Sequence, residues 1–503
     1  MEMTLVEMIE KNALSEPEKD AILYYDERIS YSALDRRVNG LAGGLIGLGV
    51  GRGDRVAMMM PRVPELVMGF LAAAKAAALA APVNFELNAE KISAILMAIT
   101  PRAFLVHSSF LPLADQAVSL CPGLDVKVIV SDAEVEGRLS LNDLPFTGAP
   151  AAPSLDIKAD DPVYLNYTSG STGESKGAVT THANIYWNTL ASVDALALTA
   201  SDVHLCMFAP FAHPHEIFAR ALYLCGTMVL VDRISPKSLA EAVSRHGVTC
   251  VMGLAPMYEN LLELLEYRTY DLSSLRIPES GGMYTRQELI RAFRKKLGAD
   301  IIPVWGSTET TGIAIANRFG EKIIPGSIGR PCRSYEVRIV DENGRELPPG
   351  EVGEMIFRGP GVVGSYYEEV TADKDPFRDG WYRSGDLGRK DKDGNFYFVE
   401  RRTGMMKVAG LKVYPAEIEA ALLEHPDVKE VSVIAAKDYL RGEVPKAIIA
   451  LKGFRAVTEK DILKFCRARL PHYKVPRIIE FRNELPKTGS GKINKKALEM
   501  ECA

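Results

Sequence analysis

The stretch YTSGSTGESKG, Tyr167 to Gly177, holds three glycines, five serine or threonine hydroxyls and one lysine. Segments this rich in small residues are either linkers or loops shaped around an anion, and the flanks decide between them. PVYLNY, Pro162 to Tyr167, reads as a short buried strand, and AVTTHANIYWNTL, Ala178 to Leu190, turns from a strand-like run into a helical pattern. A linker does not sit between two core elements, so this is a loop held by the fold. Its glycines let successive backbone N–H groups turn inward, and such a concavity takes phosphate oxygens. Thr168, Ser169, Ser171 and Thr172 add hydroxyl donors around Gly170 and Gly173, and Lys176 adds positive charge. The Gly-Lys-Ser/Thr triplet of the common nucleotide P-loop is missing, because Ser175 precedes the lysine and Gly177 follows it. Composition alone leaves two readings, a phosphate loop of another type and a structural turn.

Outward from the loop, strand-like and helical stretches alternate from about residue 30 to about 310: RVAMMM, AFLVHS, VKVIV, VYLNYT, VHLCMFAP, TMVLV, CVMGL and IIPVWG. This alternation predicts an α/β fold with parallel sheets covered on both faces. From about 326 to 400 the texture changes to short strands with Gly, Pro and Asp turns, as in a meander or small barrel. A mixed α+β pattern follows, so a smaller second domain of roughly a hundred residues is expected from about Arg401.

The chain has 503 residues, 47% apolar and 25% charged, which fits a globular protein of two or more domains. A net charge of −5 argues against a nucleic-acid surface. Seven cysteines without a CxxC pair suit reduced thiols in the cytoplasm. The acidic, amphipathic start MEMTLVEMIEKNA is unlike a secretory signal. GFLAAAKAAALAAPV, Gly69 to Val83, is too short and alanine-rich for a membrane span and predicts a buried helix running into a strand. GLGVGRGD, Gly47 to Asp54, follows a helix and precedes a strand, the reverse of a dinucleotide fingerprint, and reads as a helix-ending turn.

Four further segments carry candidate chemistry. WGSTETTG, Trp305 to Gly312, follows the apolar IIPV, which puts polar residues at a strand's carboxyl end, where open α/β sheets bind ligands. Glu309 there suits Mg²⁺, although a solvated loop glutamate has the same sequence. GWYRSGDLG sets Asp386 among glycines, where a carboxylate can accept both protons of a ribose diol or simply make a turn. ERRTGMMKVAGLKVYPAEIE offers Arg401 as a planar fork for phosphate or ribose oxygens, or as part of a basic linker. PKTGSGKINKKAL presents Lys492, alone no more than a terminal-loop lysine.

In this order, YTSGSTGESKG, WGSTETTG, GWYRSGDLG, ERRTGMMKVAGLKVYPAEIE and PKTGSGKI resemble the motifs of the adenylate-forming superfamily of acyl-CoA synthetases, adenylation domains and luciferases. The resemblance covers essentially the whole chain. It implies an N-terminal adenylation domain over 1–400, a hinge at 401–404 and a mobile C-terminal domain over 405–503. It also implies two half-reactions: a carboxylate attacks the α-phosphate of MgATP to give an acyl-adenylate and pyrophosphate, then the thiol of coenzyme A displaces AMP. Both partners in the first step are anions, so catalysis should rest on positioning and positive charge. By the resemblance, the 168–176 loop holds the triphosphate, Glu309 holds Mg²⁺, Thr308 meets the α-phosphate, and Lys492 reaches carboxylate and α-phosphate. Gly281, Gly282, Met283 and Trp305 would flank the adenine with Gly306 and Ser307 close by, and Asp386 and Arg401 would lie on the ribose side. After domain rotation, Lys407, Val408, Ala409 and Gly410 would replace Lys492 and line the pantetheine path.

The sequence departs from the family pattern in two places. Thr403 stands at the hinge position commonly Asp or Lys, with Gly404 following, and Glu174-Ser175 stands where Leu-Pro is common. FAHPHEIF offers His213 and His215 before Glu216, but no third ligand cluster accompanies them; His213 instead matches the gate of the acyl pocket. That pocket should also involve Gly306, Gly312 and Ile313. Acetate-activating relatives carry tryptophan at the place of Gly306, so glycine predicts an uncapped pocket for a medium-chain, alicyclic or aromatic acid with an apolar tail. An enzyme loading a carrier-protein phosphopantetheine and a non-catalytic acyl or nucleotide sensor stay open beside the CoA ligase. So do a monomer and a homodimer.

Overall fold

The computed structural model describes residues 2–144, 155–167, 176–367, 375–408, 411–438, 442–453, 457–487 and 493–502. They form two compact units, Met1–Glu336 with Phe357–Tyr382, and Val337–Ile356 with Arg383–Ala503.

The larger unit contains a nine-stranded sheet in the order Glu27–Ser30, Asp20–Tyr24, Thr227–Leu230, Val203–Cys206, Cys250–Gly253, Ile277–Ser280, Ile302–Ser307, Gly312–Ala316, Arg330–Pro331. Pairing is parallel from Asp20–Tyr24 to Ile302–Ser307 and antiparallel at both edges. Parallel neighbours need crossovers, and their helices are written locally. Ser235 caps Pro236–His246, whose first turn carries the proline and whose end is closed by Gly247. Leu239, Ala240 and Val243 from that helix join Leu205, Val251 and Phe293 in one core.

A seven-stranded sheet in the same unit runs Leu139–Ser140, Lys127–Val130, Ala103–Val106, Arg55–Met59, Leu79–Pro82, Pro162–Tyr167, Gly177–Thr181. Only the last pair is antiparallel. The Gly69–Val83 segment is a buried helix, Pro64–Lys75, running into the strand Leu79–Pro82. Among the described residues, no helix is long and apolar enough to cross a membrane. Short strands fall where the sequence changes texture, at Glu336–Val340, Gly353–Arg358, Trp381–Lys390 and Phe396–Arg401.

In the smaller unit, Val428–Asp438 pairs antiparallel with Gly442–Leu451, which pairs parallel with Ile478–Arg482. The helices Pro415–Leu423 and Glu459–Arg467 contribute Ile418, Leu422 and Ile462 to a core with Val431 and Ile449. This is the expected α+β arrangement.

Candidate active site

Thr168, Ser169, Gly170, Ser171, Thr172 and Gly173 lie outside the described residues, but both ends of their loop are placed. Tyr167 and Gly177 face each other across an antiparallel pair at the carboxyl end of Pro162–Tyr167. Segment 365–367 then pairs with the returning strand: Tyr367 N–H donates to Gly177 O (2.7 Å) and Val179 N–H to Ser365 O (3.2 Å). These bonds fix Tyr366, whose ring takes the Lys176 ammonium 5.2 Å from its centroid. The Tyr366 hydroxyl donates to Glu309 Oε1 at 2.7 Å. Burial, then the Glu309 charge, pushes that hydroxyl's pKa far up, which keeps it a donor. One tyrosine therefore joins the end of the glycine-rich loop to the candidate metal ligand. Its position in GSYYEE gave no spacing signal that could have identified it.

Glu309 sits in a turn between Ile302–Ser307 and Gly312–Ala316. Ser307 N–H donates to Thr310 Oγ1 (2.9 Å), Thr310 Oγ1 to Gly312 O (2.7 Å) and Thr311 N–H to Thr308 O (3.0 Å). From the helix His182–Leu196, Asn188 Nδ2 donates to Thr310 O (3.2 Å) and Ile313 O (3.0 Å), and Tyr335 OH adds a bond to Thr310 O (2.7 Å). Thr308 is half-buried, while Glu309 is 8% exposed. Among the described residues Glu309 has no cationic partner within ion-pair distance, and no group of three or more metal-ligating side chains occurs. A single carboxylate suits Mg²⁺, which keeps waters and substrate phosphates as its other ligands.

One expectation changes at this turn. The glycine at 306 predicts an uncapped, open pocket. A Cβ there would lie 2.3 Å from Gly312 O and 2.9 Å from Ile313 N, so backbone fills the space and glycine permits the close strand approach. Gly312 is enclosed by polar side chains. Gly312 has φ 116°, and a Cβ on it would meet Glu216 Oε1 at 2.4 Å and Asn188 Oδ1 at 2.8 Å. Trp305 is 8% exposed, with one face stacked on Phe357 at 4.3 Å between centroids, so the ring braces the strand end.

The Ser280–Tyr284 segment leaves the next strand of the sheet, with Gly281 buried, Gly282 exposed at φ 70° and Met283 half-buried. A Cβ on Gly281 would lie 3.2 Å from Val304 and 3.6 Å from Phe208. Phe208 also lies against His213, with ring centroids 6.3 Å apart, so the strap and the candidate gate share a neighbour. His215 is a core histidine: its Nδ1 is 2.7 Å from Tyr164 OH, and burial lowers its pKa to about 3. Glu216 pairs with Arg220 (Oε2 to Nε, 3.4 Å), and Arg220 Nη1 donates to Glu279 Oε1 at 2.7 Å. Arg220 and Glu279 had no place in the sequence reading, and the i,i+4 spacing of Glu216 and Arg220 was its one available sign.

In the smaller unit, Asp386 is 2% exposed and opposes Arg401 across Trp381–Lys390 and Phe396–Arg401, with Oδ1 2.7 Å from Arg401 Nε. The arginine itself is exposed. Glu400 accepts from Arg401 N–H (2.9 Å) and Ala416 N–H (2.8 Å), tying the 401–404 segment to the start of Pro415–Leu423. Lys407 is exposed and its N–H donates to Glu443 (2.7 Å), whereas Val408 is buried and pairs with Leu411. Ala409, Gly410 and Lys492 lie outside the described residues. Asp386, Arg401, Lys407 and Val408 thus belong to the smaller unit, and Lys176, His213, Gly281, Gly282, Met283 and Trp305 to Ile313 to the larger.

Two family descriptions match the chain: AMP-binding enzyme over residues 9–367 and AMP-binding enzyme C-terminal domain over 417–492. The chain belongs to the AMP-binding enzyme family, and within it to the AMP-forming acid–CoA ligases. A feruloyl-CoA synthase of Amycolatopsis sp. is 34% identical, over 96% of this chain and 96% of its own. The crystal structure of the anthranilate CoA ligase AuaEII with anthranoyl-AMP superposes with a TM-score of 0.92 at 30% identity, covering 100% of this chain and 97% of that one. The o-succinylbenzoate coenzyme A synthetase of Bacillus subtilis, solved with ATP and magnesium, gives a TM-score of 0.87 at 27% identity, covering 99% and 100%.

Proposed function

We propose that this enzyme activates a carboxylic acid larger than acetate, with ATP and Mg²⁺, to an acyl-adenylate and passes the acyl group to coenzyme A, releasing AMP and pyrophosphate. The observation that carries this reading is the meeting of Lys176 and Glu309 on Tyr366, which sets a cation from the glycine-rich loop beside a carboxylate with no cation of its own. Bound Mg²⁺ would supply charge for the developing pyrophosphate. Glu309 would hold it through the oxygen that Tyr366 leaves, and Tyr366 would fix that carboxylate's orientation. Thr308, half-buried, would donate to the α-phosphate, and Gly281, without a side chain, would let adenine approach the backbone. Asp386 would accept from the ribose diol, with Arg401 holding it in place. Lys492 would serve the first step and the Lys407–Gly410 segment the second, with the pivot in 401–404. Feruloyl-CoA synthase and anthranilate CoA ligase are named for aromatic acids, which puts aromatic acids first, before medium-chain and alicyclic ones. The buried unpaired thiols accord with the reducing cytoplasm.

ATP–pyrophosphate exchange across a panel of acids, followed by CoA-dependent thioester formation, tests the reading. Lys492→Ala should abolish exchange yet largely spare thioester formation from supplied acyl-adenylate. Exchange with no acid would overturn the ligase reading. Exchange without CoA turnover would point to a carrier-protein thiol.

A further inference from the structure

A buried ionic bridge joins the candidate acyl gate to the adenine strap, and neither half-reaction as described uses it. Arg220 lies on the short helix Ala219–Leu224. Its Nε is 3.4 Å from Glu216 Oε2, and its Nη1 donates to Glu279 Oε1 at 2.7 Å. All three side chains are enclosed, Glu216 at 7%, Arg220 at 3% and Glu279 at 1% exposed. Glu216 stands three residues after His213, in Pro214–Ile217, and Glu279 two residues before Gly281, in Ile277–Ser280. Other bonds hold each side to its own surroundings. Asn166 Nδ2 donates to Ala212 O (2.7 Å) and Tyr164 OH meets His215 Nδ1, which ties the gate segment to the strand Pro162–Tyr167. Tyr258 OH donates to Glu279 O (2.6 Å) and Thr285 Oγ1 to Ser280 Oγ (2.7 Å), which fixes the base of the strap. Arg220 ties the one set to the other.

We propose that Arg220 is a positioning residue for adenylation: it sets the gate segment and the strap at a fixed offset, with one carboxylate serving each substrate. Glu216 acts on the acid through His213, and Glu279 acts on ATP through Gly281–Met283. This deepens the ligase reading above and rests on it. A planar guanidinium presents its donors in fixed directions, so one side chain holds two carboxylates at a constant separation. As a whole, the bridge is not the most stable way to fill this space. Three charged groups are enclosed, and Arg220 Nη2 and Glu279 Oε2 have no hydrogen-bond partner among the described residues. Well-packed apolar side chains of the same volume would hold a core equally well without that penalty. What the charges add is direction. Phe208 already joins the two sides by packing, its ring 6.3 Å from that of His213 and 3.6 Å from a Cβ on Gly281. Apolar packing of that kind keeps the sides together, and the ion pairs fix how far one is displaced along the other.

The test measures KM for ATP and KM for the acid separately by pyrophosphate exchange, with the best acid of a panel, alongside thermal unfolding of each variant. Glu279→Gln should raise the KM for ATP about 10-fold and leave that for the acid within about twofold, the scale of one weakened charged hydrogen bond. Glu216→Gln should do the reverse. Arg220→Lys keeps the charge without the fork and should raise both. A bridge that only supports the fold would lower Tm in these variants and leave both KM values within about twofold of wild type, which overturns the proposal. Either carboxylate variant raising the other substrate's KM as much as its own overturns it too, because the two arms would not divide the substrates. A variant that does not accumulate leaves the remaining ones to decide, and if none accumulates as folded protein the bridge serves folding and the proposal falls. Absence of exchange in the wild type with every acid is a separate outcome, which overturns the ligase reading itself.

Discussion

Glu309 and Glu216 are both buried in the larger unit and both lie at the turn that ends at Gly312, yet their surroundings differ in sign. Glu309 is held by a neutral donor, the Tyr366 hydroxyl, and no cation stands within ion-pair reach of it among the described residues. Glu216 is paired with Arg220, itself 3% exposed. A buried carboxylate without a compensating charge is poised to take one, whereas a compensated carboxylate is fixed and can only offer hydrogen-bonding capacity. The contrast teaches that the partner sets the role: one carboxylate suits a metal ion and the other holds a buried ion pair together.

The widest break in that contrast comes from removing the compensation. Arg220→Leu leaves Glu216 and Glu279 buried together without a cation, and should cost about 3–5 kcal/mol of stability. Urea unfolding should show it, and adding Glu216→Gln to that variant should recover part of the loss. An Arg220→Leu protein as stable as wild type would mean the cluster is not charged as described. Next in size is Glu309→Gln, which removes charge at the uncompensated member. Pyrophosphate exchange should fall about 100-fold with every acid alike, on the scale of losing one transition-state charge contact. A loss confined to some acids would take the metal role away from Glu309. Smaller again is Gly306→Ala, whose methyl must displace the Gly312 carbonyl, an overpacking cost of about 1–3 kcal/mol. Thermal unfolding should shift down, and activity on acetate should fall with activity on larger acids. A gain on acetate alone would restore the cap reading.

That last residue shows where sequence reasoning stopped. The alternating strands, the helix running into a strand at 69–83 and the α+β C-terminal part were legible because apolar periodicity and turn residues act locally. Glu309 was legible as a metal candidate from its place after an apolar strand. Whether the space beside Gly306 was open depended on where the following strand ran, and the register Gly306↔Ile313 with its bulge is a tertiary fact. Tyr366 and Glu279 were silent for the same reason: one lies 57 residues from Glu309 and the other 59 from Arg220, and each has meaning only once the sheets bring them together. The Glu216–Arg220 pair stayed silent because FAHPHEIF was weighed as a metal motif and as the acyl gate at His213, while the glutamate's partner is fixed only once the chain folds.

The smallest effect concerns whether His215 adds a positive charge to Glu216. Burial lowers the His215 pKa from 6.5 to about 3, so the folded protein keeps the ring neutral through the physiological range. The sign follows from the protons bound. As pH falls through 6.5 the unfolded chain takes up a proton at this histidine, and the folded chain does not until about pH 3, so stability is lost on acidification. Between pH 7.5 and 5.5 the loss from one such group is about 1 kcal/mol. Glu279 has the opposite sign. Burial raises its carboxyl to about 7, the folded state therefore binds the proton first, and acidification from 7.5 to 5.5 adds about 2 kcal/mol. Urea titrations at the two pH values separate these contributions. His215→Gln should lose less stability than wild type on going to pH 5.5, and Glu279→Gln should lose more. If His215→Gln instead follows the wild-type slope, the folded ring protonates near 6.5 as it does in the unfolded chain, so acidification gives Glu216 a second cationic neighbour and sharpens its difference from Glu309.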